Sequence, residues 1–319
     1  MVFRAALTWQ GSPFRGTIAP VNERAGLRVL PTLAVLASML LWGLSFVSSK
    51  AVLNTGFPPM TMVCLRFLIA SAILLPLRRR LHPEVRLSGL SRRQRWMLFL
   101  SGFIGVTVYF FNEARGIKLT SASNAALIIA AIPIITVLVE WVFFHSRVRW
   151  VQVAGIVVSV VGVYFVVRRA PVHFPRALAG NLFMLGACLS WVAYVVTSRD
   201  LHEPLAGLSL TAYQAAIGAL TLLPFALSEI GSWRLPGLGV WLNILYLGVF
   251  CSAFAYFSYM YAASRLGPIV VSSYTNLIPF IGALGGMFLL GERLSWAQLG
   301  GGLAVIGGVF LVNRPPRAG

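Results

Sequence analysis

The sequence predicts an all-α membrane protein of ten transmembrane helices, arranged as two inverted five-helix repeats. Three observations predict it. Apolar residues make up 58% of the 319-residue chain and charged residues only 11%, with a mean hydropathy of +0.82. Soluble domains carry about a quarter charged residues, so this chain belongs in a bilayer. Its apolar residues fall into ten long runs, and the second five runs repeat features of the first five.

Crossing about 30 Å of hydrocarbon takes about 20 apolar residues in a helix. Runs bounded by charge, Pro or Gly clusters fall at 32–53, 59–78, 95–114, 121–144, 149–168, 178–198, 208–227, 238–262, 268–290 and 295–313. Residues 1–31 and 314–319 read as cytoplasmic tails, 32–168 as the first repeat and 169–313 as the second. The first thirty residues hold arginines and scattered Pro and Gly, with no apolar core of signal-peptide type. The short connections leave no room for a soluble catalytic domain.

The formal charge of +18 raises nucleic acid as a partner, but the basic residues lie mostly between apolar runs, where they act as orientation signals. With the N-terminus inside, the inner side collects Arg4, Arg15, Arg24, Arg28, the seven arginines from Arg78 to Arg95, Arg147, Arg149, Arg199, Arg265, Arg314 and Arg317. Both termini are therefore expected in the cytoplasm, with Arg168, Arg169 and Arg176 as a local exception. Cys64, Cys188 and Cys251 sit in apolar runs without CxxC spacing, and His82, His145, His173 and His202 lie near segment ends without partners at ligand spacing. No metal site and no cofactor are expected.

The repeat shows in the alignment of "HSRVRWVQVAGIVVSVVGVYFV" (His145 to Val166) with "GERLSWAQLGGGLAVIGGVFLV" (Gly291 to Val312) at an offset of 146, which also pairs Pro133 with Pro279. "WGLSFVSSK" (Trp42 to Lys50) aligns with "WVAYVVTSR" (Trp191 to Arg199) at 149, and Pro76 pairs with Pro224. Because five is odd, the second unit enters the membrane from the opposite side. Inverted repeats of this kind build alternating-access transporters, with substrate near the midplane between the halves.

The repeated motifs carry packing and turn signals. Ser295 followed three residues later by Gln298 is a capping-box pattern that starts the last helix. Glu292 sits just ahead of that helix's positive end, while the first copy has Ser146 at the matching place. Gly155 with Gly162, Gly301 with Gly308, and Gly282 with Gly286 present small surfaces for close helix contact.

The stretches "LLWGLSFVSSKAVL", "LRFLIASAILL", "LTSASNAALIIAAIPIITVLVEW" and "LGERLSWAQLGGGLAVIGGVFLV" resemble the drug/metabolite transporter superfamily, specifically its EamA-type ten-helix transporters, over residues 32 to 313. The resemblance implies a bacterial inner-membrane carrier that exports small metabolites, often amino acids or their derivatives.

Ionisable groups inside spans cost at least a few kcal/mol unless paired or hydrated. Lys50, Arg66, Glu113 and Glu140 are of this kind. Lys50 and Arg66 match positions commonly basic in the family. Two roles fit them: attracting a substrate carboxylate, or pairing with Glu113 across the outer end of the bundle. Glu113, with Asn112 and Arg115, gives helix 3 a polar end; a protonatable carboxyl in an apolar setting is the candidate proton-coupling residue. Glu140 is expected to pair at the interface with Arg147 or Arg149. Trp42 and Phe46 on helix 1 and Trp191 and Tyr194 on helix 6 are placed to wall a shared cavity, joined by Tyr256, Ser258, Tyr259, Tyr274 and Asn276 from helices 8 and 9, and by Asn124. Mid-span aromatics are also routinely core.

The expected function is a secondary transporter, not an enzyme, that exports an amino acid or related small metabolite by alternating access with proton coupling at Glu113. Alternatives on the same fold are export of an amino-acid-derived metallophore, whose carboxylates suit Lys50 and Arg66, and import of a vitamin or nucleotide-like solute such as riboflavin. A membrane-embedded enzyme or passive channel is the alternative of a different class. No Ser/His/Asp, paired His or acidic cluster recurs on the spans. Expected partners are a small-molecule substrate and the lipid bilayer, with no nucleic acid.

Overall fold

In hydrocarbon every backbone N–H and C=O must be satisfied within the protein, so an apolar run of this length folds as a helix. The computed structural model describes residues 26–83, 87–144, 150–168, 176–201, 205, 207–266 and 274–312. In chain order the helices are α1 (Gly26–Asn54) and α2 (Pro59–Leu81). Next come α3 (Arg92–Gly102, Phe103–Val108 and Tyr109–Leu119) and α4 in two parts (Ala122–Ile129 and Ile132–Phe144). They are followed by α5 (Trp150–Arg168), α6 (Ala177–Ser198) and α7 (Gly207–Leu227). The last are α8 (Leu238–Leu245, Tyr246–Phe254 and Ala255–Leu266), α9 (Thr275–Leu277 and Ile278–Leu290) and α10 (Trp296–Val312). Six are long and apolar enough to cross a bilayer and four more are shorter apolar helices, which accounts for the expected spans.

Equivalent helices pack in matching ways. α1 lies on α8 and α9, as α6 lies on α3 and α4, while α2 faces α7 and α5 faces α10. The α5–α10 seam shows the two-fold relation residue by residue. A side-chain carbon on Gly162 would stand 2.5 Å from the Gly301 carbonyl oxygen, and one on Gly308 would be as crowded against the Gly155 carbonyl oxygen. Those two contacts exchange under the offset of 146. On the axis itself, Ser159 Oγ donates to the carbonyl of Val305, its own equivalent, at 3.2 Å. The four glycines singled out by their spacing are thus the surface through which the repeats touch. Gly282 and Gly286 do the same between α9 and the first part of α4, against Ala126 and Ser123.

Among the described residues four interruptions depart from straight helices, in two pairs that obey the repeat. α4 breaks at Ala130–Ala131 where one span over 121–144 was expected, and α9 carries a 3-10 turn at Thr275–Leu277. Pro133 and Pro279 stand in the first turn of the following segments, and a proline has no N–H to continue the ladder from the segment before. α3 and α8 each contain a π-helical stretch, Phe103–Val108 and Tyr246–Phe254, and the offset of 146 carries the first inside the second. Of the tail expected over 1–31, residues 26–31 open α1; residues 1–25 and 313–319, the connection 145–149 with Ser146, Arg147 and Arg149, residues 169–175, residues 267–273 at the start of the expected ninth span and the Glu140 side chain lie outside the described residues.

Candidate functional site

The interruptions of α4 and α9 and the turns after both π stretches border one cavity of about 150 Å³ between the repeats. An engineered apolar cavity of about that volume accepts benzene, so a small metabolite is the right scale of occupant. α1 contributes Trp42, Ser45 and Phe46, α2 Arg66, α3 Tyr109, Phe110 and Glu113, α6 Trp191, and α8 Tyr256. α4 and α10 contribute only aliphatic side chains, Ile129, Ala130, Ile132, Ile306 and Val309, while α9 adds Thr275, Asn276, Ile278 and Pro279.

Two buried charges face this space. Arg66, 4% exposed, donates from Nε to Ser252 Oγ at 2.6 Å, and its guanidinium lies over the Phe110 ring at 4.6 Å. Neither of its terminal nitrogens has a protein acceptor among the described residues. Glu113, 7% exposed, accepts the Tyr109 hydroxyl on Oε1 at 3.0 Å, leaving Oε2 without a described partner. Arg66 is the charged neighbour of this carboxyl. The pair offers donors and an acceptor to one occupant in a buried setting, where each contact is worth more than in bulk water.

Aromatic rings hold the walls. Trp42 donates its indole N–H to the Cys251 carbonyl at 2.9 Å and meets Tyr256 edge-on at 5.1 Å. Tyr109 meets Trp191 at 5.5 Å, so each repeat supplies one tryptophan to the cavity.

Of the residues expected to contact substrate, Trp42, Phe46, Arg66, Glu113, Trp191, Tyr256 and Asn276 border the cavity. The others stand behind it. Asn112 lies about 100° round α3 from Glu113, bonding back to the Val108 carbonyl at 2.9 Å beside Gly186. Tyr194 fills the space left by Gly105 and donates to Gln214 Oε1 at 3.2 Å. Tyr259 supports Trp42 at 5.3 Å, and with Tyr274 it packs against Val35, Met39 and Ala262. Tyr109 was missed, although it precedes Glu113 by four residues on one helix, a spacing that places side chains together.

Lys50 is not paired with Glu113. Its ammonium sits at the end of α3, donating to the carbonyls of Ile117 at 2.8 Å, Thr120 at 2.5 Å and Lys118 at 3.4 Å. A cation there complements the helix dipole. Two residues on, α4 begins, and its positive end is met by Glu292, which accepts the N–H groups of Ala122 and Ser123, both at 2.8 Å. Glu292 therefore caps a helix of the other repeat, not its own. Gly291 makes this possible: with φ 65° it closes α9 in the left-handed conformation and turns the chain toward α4. The Ser295–Gln298 capping box forms as expected, and Gln298 Nε2 also reaches Asn124 Oδ1 at 3.1 Å, while Asn124 Nδ2 donates to Asn181 Oδ1 at 2.5 Å. The "LTSASN" and "GERLSWAQ" motifs are two halves of one buried polar clasp at the Lys50 end of the bundle. Among the described residues no group of three His, Cys, Asp or Glu side chains gathers at metal distance, and the three cysteines are buried thiols.

Comparison with known proteins agrees with this architecture. The model of the EamA-like transporter family matches twice, over residues 30–168 and 178–314. The uncharacterized transporter YcxC of Bacillus subtilis is 30% identical over 290 residues, covering 88% of this chain and 91% of its own. An uncharacterized transporter of Archaeoglobus fulgidus is 28% identical over 285 residues, 86% of this chain and 94% of that one. A probable terminal-alkyne amino-acid exporter of Streptantibioticus cattleyicolor is 28% identical over 218 residues, 68% and 73% of the two chains. A solved crystal structure shares the fold with a TM-score of 0.58 at 23% identity, covering 89% of this chain and 97% of that one. With both halves matched and the two-fold seam in place, the chain belongs to the EamA-like transporter family, a family of multi-pass membrane proteins.

Proposed function

We propose that this protein is a bacterial inner-membrane secondary transporter, with both termini cytoplasmic, that exports an amino acid or a closely related small zwitterion by alternating access. The observation that carries this reading is the cavity between the repeats, where the open nitrogens of Arg66 and the open oxygen of Glu113 face one space walled by Trp42, Trp191 and Tyr256. A carboxylate on Arg66 and an ammonium on Glu113 satisfy both charges, while an apolar substituent fits the aliphatic side lined by α4 and α10. The likeness to a probable amino-acid exporter supports the same class of cargo. Glu113 couples transport to protons: its carboxyl carries a proton in one orientation and the substrate ammonium in the other.

Purified protein in liposomes tests this. A panel of labelled amino acids is expected to exchange across the bilayer and to accumulate under a pH gradient. Glu113→Gln is expected to abolish accumulation and to leave only a weakened exchange that no longer responds to pH, since the amide keeps an oxygen for the ammonium but neither the charge nor the proton. If no amino acid moves with or without the gradient, the reading fails; a Glu113→Gln protein with an unchanged response to pH removes the coupling role.

A further inference from the structure

The offset of 148 that pairs Pro76 with Pro224 also pairs Arg66 on α2 with Gln214 on α7. The two positions treat their polar groups in opposite ways. Gln214 is consumed: its amide nitrogen donates to Ser101 Oγ at 2.9 Å and Ser198 Oγ at 3.0 Å, and its oxygen accepts from Tyr194. Among the described residues Arg66 is held by one hydrogen bond, from Nε to Ser252 Oγ, with Phe110 under its plane. A guanidinium has five N–H donors in a rigid fork. Fixing Nε from behind and the plane from below leaves the four donors of the terminal nitrogens, and the cavity is where this buried group has room to spend them.

Ser252 reaches Arg66 through an unusual backbone. It is 1% exposed and lies in the π-helical stretch of α8. The wider turn lets consecutive residues serve different neighbours: Cys251 gives its carbonyl to the Trp42 indole, and Ser252 gives its hydroxyl oxygen to Arg66. π-helical turns inside α-helices occur frequently at functional sites.

We infer that Ser252 is the positioning residue that sets carboxylate selectivity: by holding Arg66 Nε it aims the terminal nitrogens as a two-pronged clamp for the substrate carboxylate. An ammonium has no acceptor for these donors and an amide offers a single oxygen, whereas a carboxylate matches them with two parallel hydrogen bonds. The inference rests on the amino-acid reading of the same cavity.

The test compares binding of L-phenylalanine with phenethylamine, its decarboxylated counterpart, and of L-leucine with isoamylamine, to the purified full-length protein. The wild type is expected to prefer each amino acid. Arg66→Ala should erase the preference. Ser252→Ala should cut it by about tenfold, the scale of one buried hydrogen bond to a charged group, while leaving amine binding unchanged, which also shows that the variant is folded. Ser252→Thr, which keeps the acceptor oxygen, should restore the preference, and Ser252→Ala added to Arg66→Ala should change nothing further. If the wild type binds no amino acid, both the transport reading and this inference fall. If Arg66→Ala erases the preference but Ser252→Ala keeps it, or lowers amino acid and amine alike, only the positioning role is overturned.

Discussion

Where α5 meets α10 the two repeats meet through equivalent positions with the same glycines on both sides, and where α2 faces α7 equivalent positions carry different chemistry. The seam sets Gly155, Ser159 and Gly162 against Gly301, Val305 and Gly308, with equivalent residues touching on the axis. A contact on a two-fold axis is self-complementary, so one small-residue pattern serves both sides. At this pair of positions the repeats differ: Arg66 borders the cavity, while Gln214 is bonded to Ser101, Ser198 and Tyr194. The first repeat alone therefore brings a cation, beside the acid Glu113, to the cavity. The duplication supplied the frame, and the departure from symmetry supplies the chemistry.

The strongest way to break this contrast is to restore symmetry. Arg66→Gln gives the first repeat the residue of the second, and is expected to weaken amino-acid binding by at least about thirty-fold, or about 2 kcal/mol, the low end for a lost buried charge contact. Binding within a few-fold of wild type would mean that the cation is structural. At the seam, Gly308→Ala drives a carbon toward the Gly155 carbonyl, and overpacking of this kind costs about 1–3 kcal/mol. Thermal unfolding in detergent should show it as a clear loss. The neighbouring Gly307→Ala meets nothing within 4 Å and should leave the midpoint unchanged. Equal effects from the two alanines would deny the seam its special contact.

A smaller effect is expected at the clasp. Glu292→Gln weakens the cap on α4 by about 1 kcal/mol, as other capping losses do. Glu292 is also the charged neighbour of Lys50, so Lys50→Met combined with Glu292→Gln should destabilise by less than the sum of the two, read from the same unfolding curves.

Much of the frame was legible in the sequence, because bilayer thickness sets helix length and a duplicated pattern aligns with itself. The glycine spacing and the Ser295–Gln298 box were legible for a related reason: each is a local signal whose meaning depends on a few residues. The break in α4 and the π-helical stretches were not, since hydrophobicity is the same on both sides of an interruption. Pro133 and Pro279 at the repeat offset were the available sign of the first. The partner of Glu292 lies 170 residues away at Ala122, and no periodicity reports that distance. Lys50 misled for a related reason: it and Glu113 were both expected toward the outer end of the bundle, but its ammonium found the backbone carbonyls of Ile117 and Thr120. At the cavity, residue type singled out Arg66, Glu113 and the tryptophans, but only the fold separates Tyr256, which borders it, from Tyr259 one turn away.

The most direct measurement is of occupancy at the charged cavity. In a protein lacking Cys64, Cys188 and Cys251, a Ser45→Cys substitution places a thiol on its wall, and its rate of alkylation is followed with and without amino acids from the transport panel. A bound amino acid is predicted to slow the reaction, and Arg66→Gln to remove that protection while leaving the unprotected rate unchanged. Alkylation indifferent to every amino acid, or protection that survives Arg66→Gln, would contradict binding between the repeats at Arg66.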